Sequence, residues 1–185
     1  MNAGYKQLKD EYAFDNSGSA NQSTSKLFQS LILFQQQLSE QTTIITGFNY
    51  QNRAIVSNDR GIHSLNIAAP FVSLSQNIGS RFYVQPSLRA EFIENNKAEL
   101  LPQLNASYHI RDFQFRASGG RTIRAAEFTE LYNNYGREKG KLVGPSIGNP
   151  GLTPEIAWAY EAGFDWFYRS QFKLSSTFFN VFIAT

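Results

Sequence analysis

Between Arg81 and Phe92 the chain changes polarity at every residue. The even positions are Phe82, Val84, Pro86, Leu88, Ala90 and Phe92, and the odd ones Arg81, Tyr83, Gln85, Ser87, Arg89 and Glu91. A period of two belongs to an extended strand with one apolar and one wet face. Wound as a helix, the same residues would put Arg and Glu on every side and leave no apolar stripe. The pattern returns from Glu99 to Arg111, where Leu100, Pro102, Leu104, Ala106, Tyr108 and Ile110 alternate with polar neighbours and Leu101 alone breaks the rule. Antiparallel β-structure follows.

The apolar face of such strands covers either the core of a soluble sandwich or meets hydrocarbon. Length separates the two, because globular strands average about five or six residues and a tilted membrane strand needs roughly nine to eleven. The runs Lys26–Leu38, Thr42–Ser57, Leu65–Ile78, Arg81–Phe92, Glu99–Ile110, Phe113–Arg121, Trp158–Tyr168 and Gln171–Phe182 are mostly of the longer class. A partial strand is expected from Tyr5 to Phe14, before a polar loop Asp15–Ser25. Composition agrees with a membrane barrel. Aromatic residues make up 15% of the chain and charged residues only 17%, against about 25% charged in soluble domains. The mean hydropathy is −0.36, and no stretch approaches the roughly 18 consecutive apolar residues of a spanning helix.

Connections are expected to alternate in length. Short turns fall at Ser39–Gln41, Gly79–Ser80, Arg111–Asp112 and Arg169–Ser170, and longer polar segments at Ser57–Ser64, Ile93–Ala98 and Thr122–Ala157. Short turns at one end and long loops at the other are the habit of outer-membrane barrels. Tyr50, Tyr83, Tyr108, Trp158, Trp166 and Tyr168 stand near strand ends and suit interfacial girdles. Pro86 and Pro102 remove a ladder donor inside strands and are expected at bulges.

No catalytic constellation is present. With no cysteine, disulfides and thiolate metal sites are excluded. Gly136–Leu142 has neither the spacing nor the hydroxyl of a phosphate loop. His63 and His109 lie in different elements without carboxylates at ligand spacing; His63 is expected in a loop and His109 on the wet face. Glu91, Glu94 and Glu99 beside Arg89 and Lys97 form a solvated hairpin tip. The basic residues are scattered, so no nucleic-acid stripe exists despite a net charge of +2. The N-terminus lacks the apolar core of a secretory leader. No enzyme activity, cofactor or metal is expected.

The segment Gly119–Phe164 carries an ordered set of short motifs: Arg124-Ala125-Ala126, Glu130-Leu131-Tyr132, Gly148-Asn149-Pro150, Leu152, Pro154-Glu155 and Tyr160-Glu161-Ala162-Gly163. In this order and spacing they resemble the TonB-dependent outer-membrane receptors, which end a strand on a pattern like GFRAPSxxELY, continue through GNPxLxPE and resume with YExG. Ala126 departs from the family's usual proline. Arg121 and Arg124, close to Glu127 and Glu130, suggest a charge network.

The resemblance implies a Gram-negative outer-membrane location and a barrel of about 22 strands around a plug domain. Of that barrel, residues 1–185 would be a segment of about eight or nine antiparallel transmembrane strands, without the plug, the TonB box or the C-terminal strands. Its partners would be outer-membrane lipid, the TonB complex acting through the plug, and a scarce nutrient such as a ferric siderophore or cobalamin. Tyr132, Tyr135, Arg137, Lys139 and Lys141 are candidate ligand contacts in the long loop, since aromatics and cations suit anionic iron chelates. Two other readings stand beside it: a complete small outer-membrane barrel with a structural or adhesive role, and a soluble all-β binding module.

Overall fold

The structure is a computed structural model that describes residues 1–12, 20–133, 137–138, 141–142, 148–169 and 171–184. Nine strands form one antiparallel sheet: β1 (Asn2–Tyr12), β2 (Asn21–Ser39), β3 (Thr42–Ser57), β4 (Gly61–Ile78), β5 (Phe82–Ile93), β6 (Glu99–Ile110), β7 (Phe113–Arg124), β10 (Glu155–Tyr168) and β11 (Phe172–Ala184). They pair strictly in chain order. Between β7 and β10 lie a five-residue helix α1 (Phe128–Tyr132) and an antiparallel pair of two-residue strands, β8 (Arg137–Glu138) with β9 (Lys141–Leu142). No helix among the described residues is long and apolar enough to cross a membrane, which says nothing of crossing by strands.

The strand pairing keeps each face continuous. Thr46 meets Val72, Val72 meets Leu88, Leu88 meets Pro102, Tyr108 meets Phe115 and Phe115 meets Phe164, all on one face. The other face carries Gln51, Arg53, Ser73, Gln85, Arg89, Gln103 and Arg116. A slip of one residue between any two strands would mix the sets, so the polarity pattern fixes the register.

The two faces differ in packing as well. Every residue buried among those described, namely Ile55, Ile67, Ala69, Ile93, Leu101, Ser23, Glu91 and Asp165, has the parity of the polar face. Apolar-face residues such as Phe34, Leu100 and Phe178 stay 57–70% exposed. A flat single sheet would expose both faces alike. This one curves toward its polar side, where side chains converge and α1 adds cover, while the apolar side splays outward. Leu101 breaks the alternation because it belongs to this inner packing.

Aromatic rings sit at both margins of the apolar face. Trp158 stacks beside Tyr160 with centroids 6.3 Å apart, and at the opposite end Phe113, Trp166, Tyr168 and Phe172 form a chain of ring contacts. At roughly 3.4 Å per residue and about 40° of tilt, Trp158 and Tyr168 are roughly 25 Å apart along the membrane normal, the height of an outer-membrane apolar band. Tyr83 differs from its expected girdle role. It lies on the polar face and donates to Ser75 Oγ at 3.2 Å.

The strands are longer than the polarity pattern suggests. β2 begins at Asn21 rather than Lys26, β4 at Gly61 rather than Leu65, and β10 at Glu155 rather than Trp158, while β7 runs on to Arg124. Beyond the hydrocarbon both faces are wet, so alternation fades although the backbone ladder continues. β1 covers Asn2–Tyr12, and the rest of the expected Tyr5–Phe14 strand, with most of the loop that follows, lies outside the described residues. The expected loop Ser57–Ser64 is instead the tight turn Asn58–Arg60. Asn58 clips it to β2 by accepting from Gln22 N (3.0 Å) and donating to the Ala20 carbonyl (3.0 Å), and Gly61 takes the left-handed conformation (φ 81°). The alternation of short and long connections is correspondingly less regular than expected.

Neither Pro86 nor Pro102 makes a bulge. Register runs unshifted past Pro86 and Pro102 between β5 and β6. The β4–β5 ladder instead skips the pairs at Pro86 and Pro70, and the β6–β7 ladder stops at Gln103, one residue short of Pro102. A missing N–H thus costs pairs on one side only. The shift of register that does occur falls between Gln37 and Ser39 in β2.

Candidate functional site

The end of β7 and the start of β10 are held together by one arginine. Arg124 pairs in register with Glu155 and donates from Nε to Glu155 Oε2 at 3.0 Å. Its two terminal nitrogens fork onto Glu130 at 3.0 and 3.2 Å. Glu130 in turn accepts from the backbone N–H of Glu127 at 2.8 Å, the contact by which a third-position carboxylate closes a helix start. Hydrogen bonds from the Arg124 guanidinium and then from this N–H hold the Glu130 carboxyl below the usual range.

Gly148 and Asn149 close the other end of α1. Gly148 N donates to the Asn133 carbonyl at 2.6 Å and Asn149 N to the Glu130 carbonyl at 2.9 Å. A Cβ on Gly148 would stand 2.5 Å from the backbone nitrogens of Tyr132 and Asn133. Only glycine fits that approach. Asn149 Oδ1 accepts from Gly151 N at 3.0 Å, a local turn that reverses the chain through Pro150 toward Leu152, Pro154 and Glu155.

Helix α1 then reaches across the polar face to the β3–β4 hairpin. Arg53 of β3 ion-pairs with Glu127, Arg60 donates to Thr129 Oγ1 at 3.0 Å, and the His63 ring lies parallel to Tyr132 with centroids 3.5 Å apart. His63 is therefore a strand residue that seats the helix, not a loop residue. The anticipated network of Arg121, Arg124, Glu127 and Glu130 forms only through Arg124 and Glu130. Arg121 pairs with Glu99 at 2.8 Å and donates to the Leu100 carbonyl, whereas Glu127 belongs to Arg53. Below this rim the polar face carries Arg89 with Glu91 at 2.6 Å, and Asp165 between Arg116 and Lys173 at 3.2 and 3.4 Å.

The motif residues thus fall into two groups. Arg124, Glu130, Leu131, Tyr132, Gly148, Asn149, Pro150, Leu152, Pro154 and Glu155 build the rim. Tyr160, Glu161 and Gly163 belong to the strand: Tyr160 lies over Gly119 on the apolar face, and Gly163 lets Ser176 O approach to 2.6 Å of where a Cβ would stand. Of the candidate ligand contacts, Tyr132 has a ring face against His63, Tyr135 and Lys139 lie outside the described residues, and Arg137 and Lys141 are placed by backbone only, in β8 and β9. Sequence reasoning missed Arg53, Arg60 and His63, whose partners are some seventy positions away and leave no local signal. Among the described residues no group of His, Asp or Glu is arranged to hold a metal ion.

Residues 1–182 match the family model described as TonB dependent receptor-like, beta-barrel. A search of curated proteins finds no match. Among solved structures, the siderophore receptor PirA of Pseudomonas aeruginosa superposes with a TM-score of 0.73 at 18% identity, covering 97% of this chain and 34% of that one. PirA of Acinetobacter baumannii gives 0.69 at 13% identity, over 97% and 30%. The FrpB iron transporter of Neisseria meningitidis (F3-3 variant) gives 0.72 at 16%, over 91% and 29%. The chain spans about a third of the length of these receptors. At such identities the likeness is one of fold; in a membrane barrel the polar face of the strands lines the lumen and the apolar face meets lipid. The anchored loop, the two-faced sheet and the match over residues 1–182 agree: the chain belongs to the TonB-dependent receptor β-barrel family, transporters rather than enzymes, of the Gram-negative outer membrane.

Proposed function

We propose that residues 1–185 supply about nine strands of a larger receptor barrel, of about 22 strands in all, that imports a ferric siderophore. A plug domain and the remaining strands come from sequence beyond this segment, and the TonB complex energises uptake through the plug. The observation that carries this reading is the anchored loop. Arg53, Arg60 and His63 hold α1 across the lumen side of the rim, where a ligand arriving from outside would meet it.

The substrate class rests on the solved relatives, described as siderophore receptors and an iron transporter; none of the three is described as taking cobalamin. Cations and aromatics of the long loop, Tyr132, Tyr135, Arg137, Lys139 and Lys141, suit an anionic ferric chelate. A complete small barrel is disfavoured because β1 and β11 end the sheet without pairing to each other, and open edges are not tolerated in hydrocarbon. A soluble module is disfavoured by the breadth of the exposed apolar face.

The test is uptake of radiolabelled ferric siderophores by iron-starved cells of the source bacterium, with and without the gene that encodes this chain. Deletion should abolish energy-dependent uptake of at least one siderophore, and the full-length gene should restore it. A deletion strain that keeps all ferric uptake but loses labelled cobalamin would overturn the substrate assignment.

A further inference from the structure

The short-turn rim carries a feature that neither the barrel nor transport accounts for. Five described residues adopt the left-handed backbone conformation: Gly61, Gly79, Asn95, Arg111 and Arg169. Glycine and asparagine are the residues expected there. Arginine is not, yet it occupies this conformation in two of the short turns, with φ of 52° at Arg111 and 48° at Arg169.

These arginines are also set apart by their lack of counter-ions. Among arginines with described side chains, Arg53, Arg60, Arg89, Arg116, Arg121 and Arg124 are each ion-paired to a carboxylate. Arg81, Arg111 and Arg169 are not, and all three are exposed. All three lie at one rim, in the successive turns that join β4 to β5, β6 to β7 and β10 to β11. Backbone bonds tie those turns to neighbouring strands, with His109 N donating to Arg81 O and Phe167 N to Asp112 O, both at 2.8 Å. Turns two strands apart are separated by roughly 10 to 13 Å along the rim.

The same rim borders the lipid-facing ring cluster of Phe113, Trp166, Tyr168 and Phe172. Arg169 leans over the Tyr168 ring, 5.2 Å from its centroid, which sets its guanidinium at the level where rings meet headgroups. Forked donors match phosphate oxygens. The geometry points to a phosphate-binding row: Arg81, Arg111 and Arg169 grip the phosphodiesters of anionic glycerophospholipids in the inner leaflet, which short barrel turns face.

The test uses the full-length receptor in a zwitterionic detergent, with native mass spectrometry and thermal melting as readouts and phosphatidylglycerol or phosphatidylcholine as added lipid. Wild type should retain phosphatidylglycerol preferentially and melt higher in its presence. The triple variant R81Q/R111N/R169N should lose that preference, with roughly tenfold weaker retention. Its melting without lipid should hold or rise, because asparagine adopts the left-handed conformation more readily. Equal retention of both lipids by wild type, an unchanged preference in the variant, or a fall in lipid-free melting would overturn the assignment. Should the triple variant not fold, Arg81, which is not left-handed, decides the matter: R81K should keep phosphatidylglycerol and R81Q lose part of it, and identical behaviour of the two refutes the row.

Discussion

Arg53 on β3 and Glu127 at the start of α1 are 74 positions apart in the chain and form an ion pair. This pair ties the long loop to a strand four places away in the sheet. Arg53→Ala should therefore loosen the loop without unfolding the sheet. Amide exchange at Leu131 and Asn133 should accelerate, while global stability of the full-length receptor shifts by no more than about 1 kcal/mol, as for other exposed ion pairs. Unchanged exchange at both amides would show that the pair does not hold the helix.

The knot around Glu130 is sensitive to acid. Its carboxyl is held below the ordinary glutamate range by Arg124, so the stabilisation is present above that range and is lost as pH falls through the lower, folded-state value. The protection factor of the Leu131 amide, which donates to the Glu127 carbonyl inside α1, should hold from neutral pH down to about 5 and fall under stronger acid. In Glu130→Gln it should be low throughout. Protection that is already lost near neutral pH would show that another group controls the helix.

Two glycines of the same loop predict opposite outcomes. A methyl on Gly148 would meet backbone at 2.5 Å, whereas on Gly151 it would meet the Asn149 side-chain oxygen at 3.3 Å. Gly148→Ala should cost about 1 to 3 kcal/mol of local stability as overpacking, seen as faster exchange in α1. Gly151→Ala should be near neutral, because a side chain yields where backbone does not.

On β6 neighbouring residues face different media. Leu104→Arg places a charge toward the middle of the lipid face and should destabilise the barrel by about 2 to 4 kcal/mol, while Gln103→Arg enters the lumen and should be tolerated. Urea unfolding of the full-length receptor in lipid vesicles measures both. Equal costs would contradict the assignment of faces.

The lipid-crossing part of the fold is legible in sequence because a period of two survives wherever one medium is water and the other hydrocarbon. Val84 and Leu104 announce their face; Ser23 and Ser64 do not, since above the membrane both sides are wet and pairing there rests on backbone bonds and on polar clips such as Asn58. Tyr83 was misread because an aromatic ring near a strand end can face either way, and only its odd position places it inward. The rim motif was visible as spacing, and Gly148 and Glu130 do the local work that spacing suggests. Arg53, Arg60 and His63 stayed hidden because a contact made by curvature joins residues with no relation in sequence.

The residues buried among those described all lie on the lumen side, and this has a consequence for how such a chain changes over time. Lipid tails conform to any apolar outline, so Leu, Ile, Val and Phe are interchangeable on the outer surface, and each position there specifies little more than its polarity. Positions such as Ala69, Leu101 and Asp165 must instead fit particular neighbours. Backbones can therefore coincide between receptors whose sequences have drifted almost beyond recognition, and the constraints that remain concentrate on the inner wall and on the turns that shape it.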